Sequence, residues 1–224
     1  MNDAPDYFDR VNPDLLKLVP EGARAVLEIG CGAGAFGRAV KATRPDCHVT
    51  GVELNGPAAD RAAERLDRLI IGSIEDRDVQ AQLADQAFDT LVAGDVLEHL
   101  IDPWATLGAL NRCLKPGAQV LVCLPNVQHW SMVQRTLLGL WVYQDEGLMD
   151  RTHLRWFSRA TAIDMLRGVG WQPSTVVGRL VDPSRTAAEV ERLLPLAVSL
   201  GMQREAAQRD LSAFQWIVQA VKPS

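Results

Sequence analysis

Short apolar runs alternate with amphipathic stretches along this chain, a pattern that predicts strands alternating with helices. The apolar runs contain few polar residues, as expected for strands covered on both faces of a parallel sheet. We therefore expect a doubly wound α/β fold. The predicted strands are 25–29, 48–53, 69–71, 88–93, 119–124, 172–178 and 213–221. The predicted helices are 35–42, 57–69, 76–84, 104–113, 159–169 and 187–200.

The alternation is interrupted between Asn126 and Phe157, where the apolar residues show little periodicity. A connection of that length inside a compact domain is usually functional, and often a lid. A chain of 224 residues is long enough for one well-buried core. We therefore predict one domain over residues 1–224, with an inserted cap at about 126–157 and a helical insertion at about 180–212.

The composition is that of an ordinary globular protein, with a net charge of −5 and a pI near 5.4. No run of lysines or arginines forms the basic face of a nucleic-acid binder, so we predict no nucleic-acid partner. No apolar stretch approaches the roughly 18 residues of a membrane span, and the polar N-terminus, with Asp3, Asp6 and Asp9, is unlike a signal peptide. No Cys-x-x-Cys pair occurs, which predicts reduced thiols in a cytoplasmic protein. The cysteines are Cys31, Cys47, Cys113 and Cys123.

The densest motif is a glycine-rich loop that follows the first predicted strand and opens a helix. Gly30, Gly32 and Gly34 allow a sharp turn and let a ligand approach closely, since they carry no Cβ. A dinucleotide frame that ends at Gly37 leaves Gly30 unexplained and puts its third glycine deep in the helix. The frame from Gly30 favours S-adenosylmethionine (SAM), whose positive charge the carboxylate of Glu28 would help to orient.

Residues at the ends of the next two strands extend the predicted site. Glu53 ends the second strand, where a carboxylate can accept hydrogen bonds from both ribose hydroxyls of SAM or of NAD. After the third strand, Ile74 is our candidate for packing on an adenine ring, with Ser73 and Glu75 beside it.

Four segments in this order resemble the motifs of class I SAM-dependent methyltransferases: 26–34 resembles their glycine motif, 51–53 the acidic end of strand two, 88–99 strand four with its loop, and 114–118 the turn before strand five. The resemblance implies a Rossmann-like sheet of seven strands in the order 3-2-1-4-5-7-6, with strand seven antiparallel. It also implies a cofactor site formed by Glu28, Gly30, Cys31, Gly32, Gly34, Glu53, Leu54, Ser73, Ile74, Glu75, Gly94 and Asp95.

Two further segments resemble particular branches of that family. Residues 95–103 resemble the branch of the ubiquinone-pathway O-methyltransferases, and 147–157 resembles bacterial relatives of polysaccharide, glycoconjugate or natural-product pathways. Two positions depart from the family pattern. Ser73 stands where the family often has an aspartate that binds the adenine amino group, a contact left weaker or taken by Glu75, and Ala118 replaces a glycine of the turn.

Methyl transfer from a sulfonium is an in-line displacement, and a hydroxyl acceptor needs a general base to remove its proton. Histidine suits this role because its pKa lies near neutrality. His99, His129 and His153 are expected at the mouth of the pocket and are our catalytic candidates. His48, at the start of the second strand, lies away from the cofactor, and we interpret it as structural.

The same loop permits a metal as the alternative to a metal-free site. Asp95, Glu98 and His99, with His129 or His153, resemble the Glu-x-x-Glu-His pattern with which small-RNA 2′-O-methyltransferases and some ubiquinone-pathway enzymes hold a divalent ion. A hard cation such as Mg²⁺ would then activate the acceptor hydroxyl.

Aromatic and basic residues of the cap are candidates for acceptor binding. Arg151 and Arg155 fit either an anionic acceptor or pairing with nearby acidic side chains. An apolar acceptor pocket would be formed by Tyr7, Phe8, Trp130, Trp141, Tyr143 and Trp156.

We therefore predict a cytoplasmic O-methyltransferase that acts on a hydroxyl of a small, sugar- or lipid-linked acceptor. Alternatives are N-methylation or carboxylate O-methylation of a peptide or metabolite, a non-catalytic SAM-binding protein, and an NAD-dependent oxidoreductase. The predicted helix 187–200 fits either cover of the sheet or contact with a second copy in a homodimer. Its apolar residues are Val190, Leu193, Leu194 and Ala197.

Overall fold

A seven-stranded sheet forms the centre of the protein, for which a computed structural model describes residues 7–223. Asp3 and Asp6 of the polar N-terminus lie outside the described residues. The strand order is β3-β2-β1-β4-β5-β7-β6, and β7 runs antiparallel to both of its neighbours. The predicted fold class is therefore confirmed. The strands are β1 Ala25–Ile29, β2 His48–Glu53, β3 Arg68–Ile71, β4 Phe88–Gly94, β5 Leu114–Pro125, β6 Gln172–Arg179 and β7 Gln215–Val221.

Helices cover both faces of the sheet, because alternate residues of each central strand point to opposite faces. In β1, Val26 belongs to one buried cluster and Leu27 to the other. Two buried tryptophans, Trp171 and Trp216, fill the larger cluster. The helices are α1 Pro13–Leu18, α2 Ala35–Thr43, α3 Gly56–Ala63, α4 Arg77–Ala81, α5 Pro103–Leu110, α6 Trp130–Leu137, α7 Arg159–Gly168, α8 Pro183–Ser199 and α9 Arg204–Ser212.

Some predicted boundaries were wrong. The helix expected over 57–69 ends at Ala63, because the chain must turn before Arg68 enters the sheet beside β2. Asp67 stabilises this turn, because its carboxylate accepts a hydrogen bond from the Val49 amide and forms an ion pair with Lys41. Strand β5 starts at Leu114 rather than at Gln119, since a register shift lets the expected turn pair with β4.

Two α-helices, α1 and α6, were not predicted, and the helical insertion expected at about 180–212 consists of two helices, α8 and α9. α1 is only six residues long, too short for a recognisable period, and the Asn12 side chain caps it. α6 lies inside the cap that was expected to be irregular, and α9 follows α8. Trp130 of α6 packs against α8 and α9 in a separate apolar cluster. Val190 and Leu194 of α8 therefore belong to this cluster with α6 and α9, and to neither of the two clusters on the sheet.

Two further findings concern the described helices and the cysteines. Within residues 7–223, no helix has both the length and the apolar character to cross a membrane. The four cysteines are buried and form no disulfide with one another.

Gly37 lets α2 pack directly on the sheet, because glycine has no side chain that would meet the neighbouring residues. A Cβ at Gly37 would lie 2.5 Å from Leu66 Cδ2 and 2.9 Å from both Val49 Cγ1 and Glu28 Oε2. We expect Gly37→Ala to lower the free energy of unfolding by about 1–3 kcal/mol through overpacking. Urea unfolding followed by circular dichroism measures the change.

The matched control is Gly108→Ala, at an exposed helical position of α5 where an added Cβ meets nothing within 4 Å. There alanine should raise stability by about 0.5–1 kcal/mol, because glycine loses more conformational freedom on folding. Equal effects of the two substitutions would contradict the packing argument.

Candidate active site

A cavity of about 870 Å³ opens at the carboxyl ends of the parallel strands. Its floor lies where the strand order reverses between β1 and β4, the usual ligand position in such sheets. One end is lined by the glycine loop and by residues after β2 and β3. The other end is lined by residues 145–148 and 150–153 of the cap and by the ends of β5, β6 and β7.

The glycine loop forms the wall at the first end. Gly30, Gly32 and Gly34 have φ values of 65°, 53° and 74°, in the left-handed region that favours glycine. A Cβ at Gly32 would lie 2.8 Å from the carbonyl oxygen of Phe8, which also accepts a hydrogen bond from the Ala33 amide at 2.8 Å. Sequence patterns gave no sign of this contact between the glycine loop and a short 3-10 helix, Tyr7–Asp9, near the N-terminus.

Glu53 is buried beside the loop and is held by two backbone amides. Its Oε2 accepts a hydrogen bond from the Gly32 amide at 2.8 Å, and its Oε1 accepts one from the Asn55 amide at 2.7 Å. Each carboxylate oxygen has a second lone pair, so the side chain can still accept bonds from a ligand. Glu53, which is predicted to bind the ribose, therefore lies on the cavity wall with its carboxylate held in one orientation.

Glu28 lines the same end of the cavity but is completely buried. Burial raises its pKa to about 8, against the opposing effect of the Gly37 amide, and the charge of Glu53 raises it further. The side chain is thus mainly neutral at pH 7. A bound cation would favour its ionised form.

The residues proposed for adenine lie at the edge of β3. Ser73, Ile74 and Glu75 all line the cavity, and Leu54 beside them is 70% exposed. Both carboxylate oxygens of Glu75 accept backbone bonds, from the amides of Ile101 at 3.1 Å and Asp102 at 2.8 Å. Through these two hydrogen bonds, Glu75 links the cavity residues that follow β3 to the loop after β4.

Asp95 follows β4 in a left-handed conformation, with φ of 54°. Burial raises its pKa to about 6, while the positive charge of Arg179 opposes that rise. Its Oδ1 accepts a hydrogen bond from the Gln215 amide, and Gln215 Oε1 accepts one from Arg179 Nη1 at 2.5 Å. Sequence patterns did not single out Gln215 or Arg179, since β6 and β7 bring them to β4 from more than 80 residues away.

His99 and His153 meet over the middle of the cavity, with ring centroids 4.8 Å apart. His153 Nε2 lies 4.0 Å from Glu98 Oε1. Neither Glu98 Oε2 nor His153 Nδ1 has a hydrogen-bond partner among the described residues. Burial raises the pKa of Glu98 well above its usual value, and it lowers the pKa of both histidines.

His129 lies elsewhere, which corrects the expectation that it reaches the pocket mouth. It caps α6, packs between Trp130 and Phe214, and is not among the residues that line the cavity. Its Nδ1 is 2.8 Å from Ser131 Oγ, and burial lowers its pKa to about 4. His48 is exposed at the start of β2, as expected for a residue away from the site.

Of the two cap arginines expected to bind the acceptor, Arg151 lines the cavity and Arg155 does not, and both are engaged in other contacts. Arg151 pairs with Asp145 at 2.6 Å, and Arg155 donates to the carbonyl of Ile101. Among the residues that line the described cavity, none of the cap aromatics Trp130, Trp141, Tyr143 and Trp156 is found. Phe8, another of the aromatic residues expected there, does line the cavity, and further apolar lining comes from Phe36, Leu148 and Phe214. The side chain of Tyr7 lies outside the described part of the chain.

Comparisons with known proteins agree with this geometry. Residues 27–120 match a family described as "Methyltransferase domain". The ubiquinone biosynthesis O-methyltransferase of Xylella fastidiosa is 36% identical over 126 residues, which cover 54% of this chain and 46% of that protein. A second protein of that name, from Pseudomonas aeruginosa, is 32% identical over 52% of each chain. The chain thus spans about half the length of the curated relatives it matches.

Solved structures share the fold at low sequence identity. A SAM-dependent methyltransferase from Archaeoglobus fulgidus has a TM-score of 0.62 at 18% identity, covering 90% of this chain and 87% of that one. The N-methyltransferase NodS from Bradyrhizobium japonicum, solved with S-adenosylhomocysteine, has a TM-score of 0.58 at 18% identity, covering 95% and 85%. Taken together, these findings show that residues 27–120 match a methyltransferase domain and that the seven-stranded fold is the one found in SAM-dependent methyltransferases.

Proposed function

We propose that this protein transfers the methyl group of SAM to a hydroxyl oxygen of a small, sugar- or lipid-linked acceptor. The proposal rests on His99, a histidine on the cavity wall. Its Nδ1 faces hydrogen-bond acceptors of Thr152. O-methylation is also the reaction in the names of the curated relatives.

The proposed base is held by a short hydrogen-bonded chain. Thr152 Oγ1 donates to Asp150 Oδ1 at 2.6 Å, so its lone pairs face His99 Nδ1 at 3.0 Å. The Thr152 carbonyl oxygen is 3.3 Å from the same nitrogen. Two acceptors at Nδ1 favour the tautomer with the proton there, which leaves the lone pair on Nε2 to act as base.

In the proposed reaction, the base, the cofactor-binding residues and the cap each have a separate task. SAM supplies a methyl carbon on a positively charged sulfur, which is a good leaving group. His99 Nε2 takes the proton of the acceptor hydroxyl as the oxygen forms its bond to the methyl carbon and the carbon–sulfur bond breaks. Glu53 and the loop from Gly30 to Gly34 would hold the adenosine and methionine parts, while the cap excludes water.

A metal site is the second candidate at the same place. The ligand atoms of Glu98, His99 and His153 lie within 4.8 Å of one another, and Glu98 and His153 each have a buried polar atom that no described residue binds. Asp95 is not in this group, and its Oδ1 accepts a hydrogen bond from the Gln215 amide. Two imidazoles and one carboxylate suit a transition metal better than Mg²⁺, which prefers oxygen ligands.

A mass-spectrometric screen of hydroxyl, amine and carboxylate acceptors tests the function. We expect a methylated product from a hydroxyl compound, formed together with S-adenosylhomocysteine, and equal rates with and without EDTA. Loss of activity in EDTA that Zn²⁺ or Mn²⁺ restores would favour the metal site instead. Products from amines alone would overturn O-methylation. The cytoplasmic location and a homodimer remain predictions.

A further inference from the structure

We propose that Arg179 binds an anionic group, a carboxylate or a phosphate, carried by the methyl acceptor. This inference rests on the proposed function, because it assigns the far end of the same cavity to the acceptor. It replaces Arg151 and Arg155, which the structure places in other contacts.

The position of Arg179 separates it from the cofactor end of the cavity. It is the last residue of β6 and pairs with Gln215, the first residue of β7. In the sheet, β7 and β6 lie on the opposite side of β4 from β2, which ends at Glu53, and from β3, which ends two residues before Ser73. Neighbouring strands lie about 4.8 Å apart. Arg179 therefore lines one end of the cavity, and Glu53 and Ser73 line the other end.

The charge of Arg179 is not neutralised by direct contact with an acid. Three arginines line the described cavity, and two of them form ion pairs there, Arg10 with Glu146 at 2.9 Å and Arg151 with Asp145 at 2.6 Å. Within residues 7–223, no carboxylate oxygen lies within 4.0 Å of the Arg179 guanidinium. The acidic residue Asp95 on the cavity wall is connected to Arg179 through the neutral amide of Gln215.

The Gln215 amide also fixes the orientation of the guanidinium. Gln215 is 7% exposed, and it holds Nη1 of Arg179 on one side and Asp95 on the other. A guanidinium has five N–H donors, and this contact uses one of them. The remaining donors form the planar fork that matches the two oxygens of a carboxylate or phosphate.

The test uses calorimetry on the full chain saturated with S-adenosylhomocysteine, with two pairs of probes that differ in charge. 4-Hydroxybenzoate is compared with 4-methylphenol, and glucose 6-phosphate with glucose. We expect at least one charged probe to bind about tenfold or more tightly than its neutral partner. Arg179→Gln should abolish that preference, Arg179→Lys should keep part of it, and the preferred pair identifies a carboxylate or a phosphate.

The control is Arg155→Gln, which removes an arginine that does not line the cavity and should leave the preference unchanged. No preference for a charged probe in the wild type, or a preference that survives Arg179→Gln, overturns the inference. So does a tenfold loss of S-adenosylhomocysteine binding in Arg179→Gln, since Arg179 would then serve the cofactor. If the wild type itself fails to bind S-adenosylhomocysteine, the proposed function fails first.

Discussion

The Glu53→Ala variant should bind S-adenosylhomocysteine at least tenfold more weakly than the wild type, a loss of roughly 1.4 kcal/mol or more. Two causes act together. The substitution removes the carboxylate proposed to accept the ribose hydroxyls, and it releases the amides of Gly32 and Asn55 that Glu53 now holds at 2.8 and 2.7 Å. The glycine loop therefore loses an anchor as well as a ligand group. Isothermal titration calorimetry measures the affinity directly.

Glu53→Gln separates charge from shape. A glutamine amide group would point a donor at one of the two backbone N–H groups, so we expect it to weaken binding nearly as much as alanine. Glu64→Ala, at an exposed position at the end of α3, is the matched control and should change nothing. Binding that is indifferent to Glu53, or tight binding of NADH by the wild type, would contradict the cofactor site and revive the oxidoreductase.

The His99→Gln variant should lose activity by a factor of about 10²–10⁴ in kcat, the usual contribution of a general base. S-adenosylhomocysteine binding should stay near the wild-type value, because the histidine acts on the acceptor. Thr152→Val should cause a smaller loss, since the Thr152 carbonyl remains near Nδ1. His48→Gln, on the exposed start of β2, is the control.

The pH profile distinguishes a base from a merely structural histidine. Burial is the largest cause that lowers the pKa of His99 below its ordinary 6.5. The imidazole is therefore neutral, and able to accept a proton, at pH 7, and the rate should fall only as the pH drops below that ordinary value. In His99→Gln this acid limb should disappear. A mutant that keeps both the wild-type kcat and the acid limb would exclude His99 as the base.

The cofactor end of the site was predictable because its parts are local in sequence. A strand, three glycines and a helix follow one another within residues 25–43, and Glu53 ends the neighbouring strand. The backbone conformation that the glycines need and the parallel order of the strands together bring these groups to one place. Sequence alone did not reveal that Phe8 crosses the loop, because a backbone carbonyl has no residue signature.

The acceptor end was less predictable because its groups meet through distant contacts. Arg179 reaches Asp95 through Gln215, which depends on the insertion of β7 between β5 and β6. His129 was expected at the cavity because it follows β5. The α6 helix begins there instead, so the histidine turns inward as its cap. Aromatic residues of the cap were equally ambiguous, since contacts within the cap or with α8 explain Trp130 and Trp156.

The two ends of the cavity are built from separate stretches of chain, up to Leu100 and from Pro125 onward. The family match ends at residue 120, so it covers most of the cofactor end and none of the cap, β6 or β7. A change in the second stretch would therefore alter the proposed acceptor end and leave the glycine loop and Glu53 in place. The matched region alone thus carries no information about which compound the second stretch accommodates.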